Sequence, residues 1–315
     1  MHQHLQEVRI DQSSSRTLAG QALPDIVKIV VVVVLYNTNI GKCHTLNSLI
    51  CANEAFDPDV FSLLLYDNGP IAQPAQLGTH ITYKYVHDPK NGGLSAAYNC
   101  ALACAQTQGA SWLLLLDQDT TISATFLLAS RYAAEGYEAN PHVVAIVPRI
   151  ISRGVPISPA RVSGLGRKRP IRHISSRVLE SPVTAINSGA LVRTSFVHSL
   201  GGFERRFWLD FLDHWLFSRI YAAGKAVALL DATLEHDLSV VDLAKGVPEQ
   251  RYINILDAEA IFVRDFGDRK SRLVYPLYLI ARACKNLVVD HNTRFFSLTL
   301  FHAFRQIVDM RSAKK

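Results

Sequence analysis

Four mainly apolar runs dominate the first part of the chain: Val27–Tyr36, Phe61–Tyr66, Ile81–Val86 and Trp112–Leu116. A run that is solidly apolar, with no alternation, describes a strand buried on both faces, as in a parallel sheet covered by helices. Amphipathic stretches at about 41–52 and 93–108 fall between the runs and predict those helices. Strand–helix alternation of this kind specifies an α/β fold with a mostly parallel, Rossmann-like sheet. Each run stops abruptly in polar residues: Asn37-Thr38-Asn39, Asp67-Asn68-Gly69, His87-Asp88 leading to Asn91-Gly92-Gly93, and Asp117-Gln118-Asp119. Open α/β sheets bind ligands beyond the carboxyl ends of their strands, where the strand order reverses. One such cluster is an ordinary turn, whereas four at four strand ends describe a crevice.

The remainder divides by composition. Residues 143–147 read as a further strand, and a Gly/Pro/Arg-rich segment runs on to about 182 with Arg161, Arg167, Lys168, Arg169, Arg172 and Arg177. That basic segment is either a lid or phosphorylated-acceptor contact, or a solvated loop. A strand-like Thr184–Arg193, a helix over about 212–223 and a strand Ala226–Leu230 follow, and from about Pro248 the pattern is helical. The expected organisation is a flexible polar tail at 1–24, a catalytic domain at 25–240 and a helical region at 241–315.

The longest apolar run, Ile29–Leu35, is far shorter than the ~20 residues a membrane-spanning helix needs. The N-terminus lacks the apolar core of a signal peptide, so a cytoplasmic location is expected. Cys43, Cys51, Cys100, Cys104 and Cys284 show no metal-ligand spacing and read as reduced structural thiols. A net charge of +6 favours anionic partners. No aromatic-interleaved basic stripe or zinc finger is present, so nucleic acid is not expected. In the last helices Tyr275, Tyr278, Arg282, Lys285, Phe295, Phe296, Phe301, Phe304 and Arg305 suit a helix lying on an anionic lipid surface, or one packed on the catalytic domain or in a dimer.

Two sites carry chemistry. Asp117-Gln118-Asp119 places two carboxylates at the end of a buried strand, suited to Mg²⁺ or Mn²⁺ held by one or two protein carboxylates plus substrate phosphates. Asp67 can accept hydrogen bonds from a base or ribose, and Asn91-Gly92-Gly93 allows close backbone approach to a nucleotide. Neither GxGxxG nor a P-loop occurs, which disfavours NAD and ATP hydrolysis. The second site is Phe207-Trp208-Leu209-Asp210-Phe211-Leu212-Asp213-His214-Trp215. Its two aspartates are either helix caps or, for Asp213 among aromatic neighbours, a general base. His236, after a strand, is a metal ligand or a structural histidine.

Taken together these residues resemble the family 2 glycosyltransferases of the GT-A fold, especially the bacterial rhamnosyltransferase-like branch. The matching pieces, in family order, are VVVVLYNTN at 31–39, YDNG at 66–69, NGGLSAAYN at 91–99, LLLLDQDT at 113–120, INSGALV at 186–192, GGFERRFWLDFLDHW at 201–215 and LEH at 234–236. The resemblance implies a nucleotide-diphosphate sugar donor, dTDP-L-rhamnose or a UDP-hexose, bound by Tyr36, Asn37, Asp67, Asn91 and Asp117. It implies a divalent metal, Mn²⁺ or Mg²⁺, on Asp119, Asp117 and His236. It implies Asp213 as base, with Asp210 as the other carboxylate of the site and Arg219 in support. The family's Glu position reads Leu212 here, and the spacing Asp210–Asp213 matches a variant pattern of the same branch. The expected acceptor is a hydroxyl of a saccharide or a lipid-linked molecule, in cell-surface polysaccharide or lipopolysaccharide synthesis. The competing readings are a nucleotidyltransferase, which lacks its Gly-rich loop after the first strand, and a non-catalytic sugar-nucleotide-binding protein.

Overall fold

Strand β1 (Ile29–Leu35) is buried at every position, and its Val-rich sequence explains why: β-branched side chains pack on both faces of a pleated surface. The computed structural model to which it belongs describes residues 26–74, 81–162, 168–171, 177–235 and 247–312. The expected tail at 1–24, His236, Arg167 and Arg172 lie outside them.

Parallel neighbours flank β1, β2 (Phe61–Asp67) on one side and β4 (Trp112–Asp117) on the other, with β3 (Tyr83–His87) beyond β2. The chain crosses between them through α1 (His44–Cys51) and α2 (Gly93–Gln108). After α3 (Ala124–Tyr137) come β5 (Val143–Ser152), β6 (Val155–Ser158), β7 (Ala160–Val162), β8 (Lys168–Pro170), β9 (Val178–Leu179), β10 (Val183–Thr184), β11 (Ala190–Arg193), α4 (Thr194–Ser199), α5 (Leu212–Ala222) and β12 (Ala226–Glu235). Among the described residues the main sheet runs β3-β2-β1-β4-β11-β5-β12-β9, with β6 paired to β5, and β10-β7-β8 form a smaller sheet. β11 is antiparallel to both its neighbours, while β12 runs parallel to β5. The strand order reverses between β1 and β4, which places the switch point beside Asp117.

Two apolar layers cover the sheet. One packs α2, α4 and α5 against faces that include Val32, Leu64, Leu113 and Val192. The other packs α1 and α3 against Val31, Leu65, Leu114 and Ile146. Each buried aliphatic side chain stabilises this sandwich by about 1.5–3 kcal/mol. The fold is thus the expected GT-A type sheet flanked by helices, with a C-terminal helical extension. That extension, α6 (Glu249–Phe266), α7 (Arg269–Val288) and α8 (Thr293–Ser312), has its own core of Tyr252, Leu256, Tyr275, Leu279, Phe295 and Ala303.

Three local expectations change. Thr184–Arg193 is not one strand: it breaks at Ala185–Gly189, where Gly189 takes φ +83°. A Cβ there would fall 2.4 Å from Leu234, so only glycine fits. The basic segment is partly sheet, with Arg161 and Arg169 exposed opposite each other on β7 and β8. The five cysteines are unpaired, but Cys51 and Cys284 are exposed and so do not serve the core.

Candidate functional site

The register of the sheet builds the crevice. Leu35 at the end of β1 pairs with Asp67, Asp67 with His87, and Val34 with Asp117. Four strand ends and the loops after them therefore stand at one level on one edge.

Asp117 and Asp119 sit on a turn fixed from three directions. The Asp117 backbone N–H donates to Ser188 Oγ at 3.1 Å, and Ser188 lies 2.6 Å from the Thr120 hydroxyl. Thr120 N donates to Thr45 Oγ1 at 2.9 Å, while Thr45 N and Cys43 Sγ both reach the Gln118 carbonyl. Gln118 Oε1 accepts the Tyr36 N–H at 2.8 Å and so ties the end of β1 to that of β4. Asp119 is exposed and Asp117 half-buried, and both stand at the end of β4. Burial pushes the Cys43 thiol up, and the charge of Asp119 adds to the rise. A protonated thiol is no metal ligand, so the donors here are hard oxygens, which fit Mg²⁺ or Mn²⁺. Among the described residues no three His, Cys, Asp or Glu side chains converge on one point.

Asp67 is buried and engaged from inside: Gly69 N donates to Oδ1 at 2.8 Å, and Tyr85 OH and Gln73 Nε2 donate to Oδ2 at 2.7 and 3.1 Å. Tyr36 and Asn37 are exposed at the mouth, Asn37 in the left-handed region at φ 50°. Asn91 shares that conformation at φ 51°, and its carbonyl accepts from Trp208 Nε1 at 2.7 Å. Gly93 N donates to Asn68 Oδ1 at 3.2 Å, which links the loop after β2 to the start of α2.

The segment 207–215 closes over this loop. Its αL residue, Phe211 at φ 68°, caps α5 without a side-chain bond, so neither aspartate is the cap. A non-glycine residue held there stores of order 1–3 kcal/mol of strain, a pattern that clusters at functional sites. Asp213, half-buried in the first turn of α5, accepts the His214 N–H at 2.7 Å. Asp210 faces Arg251 of α6 at 3.7 Å. Burial pushes Asp210 up; Arg251 pulls it back, and Asp213 adds to the rise. Tyr98 on α2 joins the two carboxylate groups. Its buried hydroxyl has no hydrogen-bond partner, and burial raises its pKa first, with Asp117 and Asp213 both adding to the shift. Asp117 and Asp213 are thereby within electrostatic range of one phenol.

The structure thus brings together Tyr36, Asn37, Asp67, Asn91, Asp117, Asp119, Asp210 and Asp213. It does not bring in Arg219: six residues along α5 rotates it about 120° away from Asp213, and it forms no ion pair among the described residues. Thr45 and Arg251 escaped sequence reasoning, whereas Tyr98 and Ser188 lie inside the matching pieces at 91–99 and 186–192 but were given no role there.

A sequence profile described as glycosyl transferase family 2 matches residues 30–200. No curated protein matches the chain. Among solved structures the chain is similar to S. aureus TarS residues 1–349, with a TM-score of 0.47 and 17% identity over 90% of this chain and 88% of that one. The same protein in complex with UDP matches with a TM-score of 0.47 and 18% identity, over 90% and 88% of the two chains. Its complex with UDP-GlcNAc matches with a TM-score of 0.46 and 16% identity, over 90% and 89%.

Proposed function

The chain belongs to glycosyl transferase family 2 and is a glycosyltransferase, and from that premise we propose an inverting transfer of L-rhamnose from dTDP-L-rhamnose to an acceptor hydroxyl. The acceptor is a saccharide or lipid-linked molecule of cell-surface polysaccharide or lipopolysaccharide synthesis, and a UDP-hexose is the competing donor. The observation that supports this reading is the sheet register, which brings the end of β2 at Asp67 and the end of β4 at Asp117 to one edge beside the switch point.

In this reading Asp213 takes the proton of the acceptor hydroxyl as its oxygen attacks the anomeric carbon from the face opposite the nucleotide. The bond from that carbon to the diphosphate oxygen breaks, and the configuration inverts. Asp210, held by Arg251, keeps the loop before α5 in place and adds negative potential beside the base. Tyr36 and Asn37 meet the base and ribose at the mouth, and the backbone around Asn91 closes the nucleotide side. Asp117 and Asp119, with His236, would hold Mg²⁺ or Mn²⁺, which when bound neutralises charge on the departing nucleotide diphosphate. Residues 25–240 act as the catalytic unit and 241–315 as a helical appendage. Exposed Leu277, Phe301 and Phe304, on helices that also carry Lys285 and Arg305, support peripheral contact of that appendage with an anionic membrane.

Calorimetric titration with dTDP and UDP, with Mn²⁺ or Mg²⁺ and again with EDTA, tests the reading. The expected result is metal-dependent binding that Asp119→Ala abolishes, with dTDP preferred. Folded protein that binds neither nucleotide overturns it.

A further inference from the structure

One side chain already occupies the crevice. The carboxamide of Gln73 lies between the ends of β1 and β2 and makes three hydrogen bonds there. Its Oε1 accepts the Ile40 N–H at 2.9 Å, and its Nε2 donates to the Thr38 carbonyl at 2.9 Å and to Asp67 Oδ2 at 3.1 Å. The orientation of the amide is forced, because Ile40 N can only donate and the Thr38 carbonyl can only accept. Its backbone is pinned as well, since Gln73 N donates to the Tyr85 hydroxyl at 3.0 Å.

These contacts define a recognition pattern: one backbone donor beside two acceptors, at the carboxyl edge of a parallel sheet and next to its switch point. A planar group that carries N–H beside C=O meets the backbone donor and one of the two acceptors. Uracil, thymine and guanine carry such a lactam edge; adenine does not. The exposed ring of Tyr36 lies at the same strand end, within one loop of Thr38.

We propose that Gln73 is an internal competitor for the donor's base, filling with its own amide the positions that a lactam-edged nucleobase takes. The proposal rests on the nucleotide-sugar reading given above and deepens it. In the free protein the amide satisfies the buried Asp67 carboxylate and the Ile40 and Thr38 backbone groups, which would otherwise be left to water. On donor binding the amide leaves, the base C=O accepts from Ile40 N, its single N–H donates to Asp67 Oδ2, and the Thr38 carbonyl is left to water. The apparent affinity for nucleotide scales with the fraction of molecules in which Gln73 is unseated, which hinders rebinding of the product nucleotide diphosphate. Asp67 and Ile40 thereby select the base, and Gln73 sets how tightly it is held.

The test is titration of the full chain and of Gln73→Ala with UDP, dTDP, GDP and ADP, with melting curves alongside. The expected result is binding of the preferred lactam-base nucleotide about fivefold to tenfold tighter in the variant, with ADP unchanged. Equal or weaker binding by a variant that melts like the parent overturns the competition. If Gln73→Ala melts early, Gln73→Glu carries the same test, because a carboxylate facing Asp67 is expelled and the same tightening is expected. A wild-type readout stands beside both. The Gln73 side-chain amide protons exchange slowly in the free protein and fast at nucleotide saturation, and slow exchange in both states overturns the proposal. Absence of binding by every nucleotide and every folded variant overturns instead the nucleotide-sugar reading on which it rests.

Discussion

A Cβ placed on Gly93 would fall 2.3 Å from the Trp208 carbonyl oxygen, and the residue sits at φ +72°. Gly93→Ala therefore meets both a backbone clash and a conformation that L residues avoid. We expect a loss of about 2 kcal/mol or more, read as a lower denaturation midpoint, together with weakened nucleotide binding as the Asn91 loop shifts. Asp213→Asn keeps the shape and removes the base. Its turnover should fall by about 10²–10⁴-fold while the Kd for nucleotide stays near that of the parent; unchanged turnover would remove Asp213 from the role. At this scale the sequence was legible in placement at strand ends: Asp67, Asn91, Asp117 and Asp119 all follow an apolar run and reach one edge of the sheet. It was opaque where a partner arrives from far along the chain. Trp208 bonds Asn91 across 117 positions, and Ser188 bonds Asp117 across 71. Nothing in the local pattern of either residue marks that meeting.

The most informative single element is α6, which presents two working faces. One packs Phe262 and Phe266 on Phe207 and Phe211, with ring centroids 5.7–6.2 Å apart, and adds the Arg206–Asp265 and Arg251–Asp210 pairs. The other joins α7 and α8, where Glu259 grips the mostly buried Arg282 through bonds of 2.6 and 2.7 Å. Removal of one partner of such a pair leaves the other charge buried alone. Glu259→Ala should thus lose about 3 kcal/mol, measured by urea unfolding. Arg251→Ala should lower kcat and shift its pH profile by releasing Asp210, with the fold retained; an unmoved profile would confine Arg251 to packing. The periodic patterns revealed that these helices exist, and α2 runs over 93–108 as expected. Periodicity carries no information on which loop a helix face meets, and for that reason the docking of α6 beside the two aspartates was not anticipated.

Across the whole molecule, charge pairing sets the response to acid. Arg206 holds Glu204 below its ordinary value, Arg264 and Arg206 hold Asp265 low, and the Asp88 carboxylate, despite burial, is lowered by the Tyr66 hydroxyl and the Gly92 and Lys90 N–H groups. Groups with depressed pKa stabilise the fold above the ordinary carboxylate range, and that contribution is lost as the pH falls through their folded values. Asp210, pushed up, has the opposite sign, contributing at low pH and losing its contribution as the pH rises. With Asp268 also lowered by its hydrogen bonds to Ser271, four depressed carboxylates stand against one, and the urea midpoint should fall between about pH 5 and about pH 3; a midpoint that rises on acidification would contradict these assignments. The apolar surface of the appendage, with Leu277, Val288, Phe301, Phe304 and Val308 exposed, should carry the protein to the top of a flotation gradient with anionic liposomes. Retention at the bottom, beside a working control, would assign that surface to another protein.

The antiparallel strand β11 also dictates when the protein becomes competent, because it slots between β4 and β5 only after the chain has travelled far beyond both. Until that late closure, Asp117 lacks its Ser188 tether and the Asn91 loop lacks its Trp208 lid. Contacts between distant parts of a chain form after the entropy of closing long loops has been overcome. A refolding chain should consequently regain helical signal before it regains any grip on nucleotide. On the ribosome, a nascent chain released before Ser188 and Trp208 have emerged would carry every aspartate of the strand ends and still be unable to hold a sugar donor.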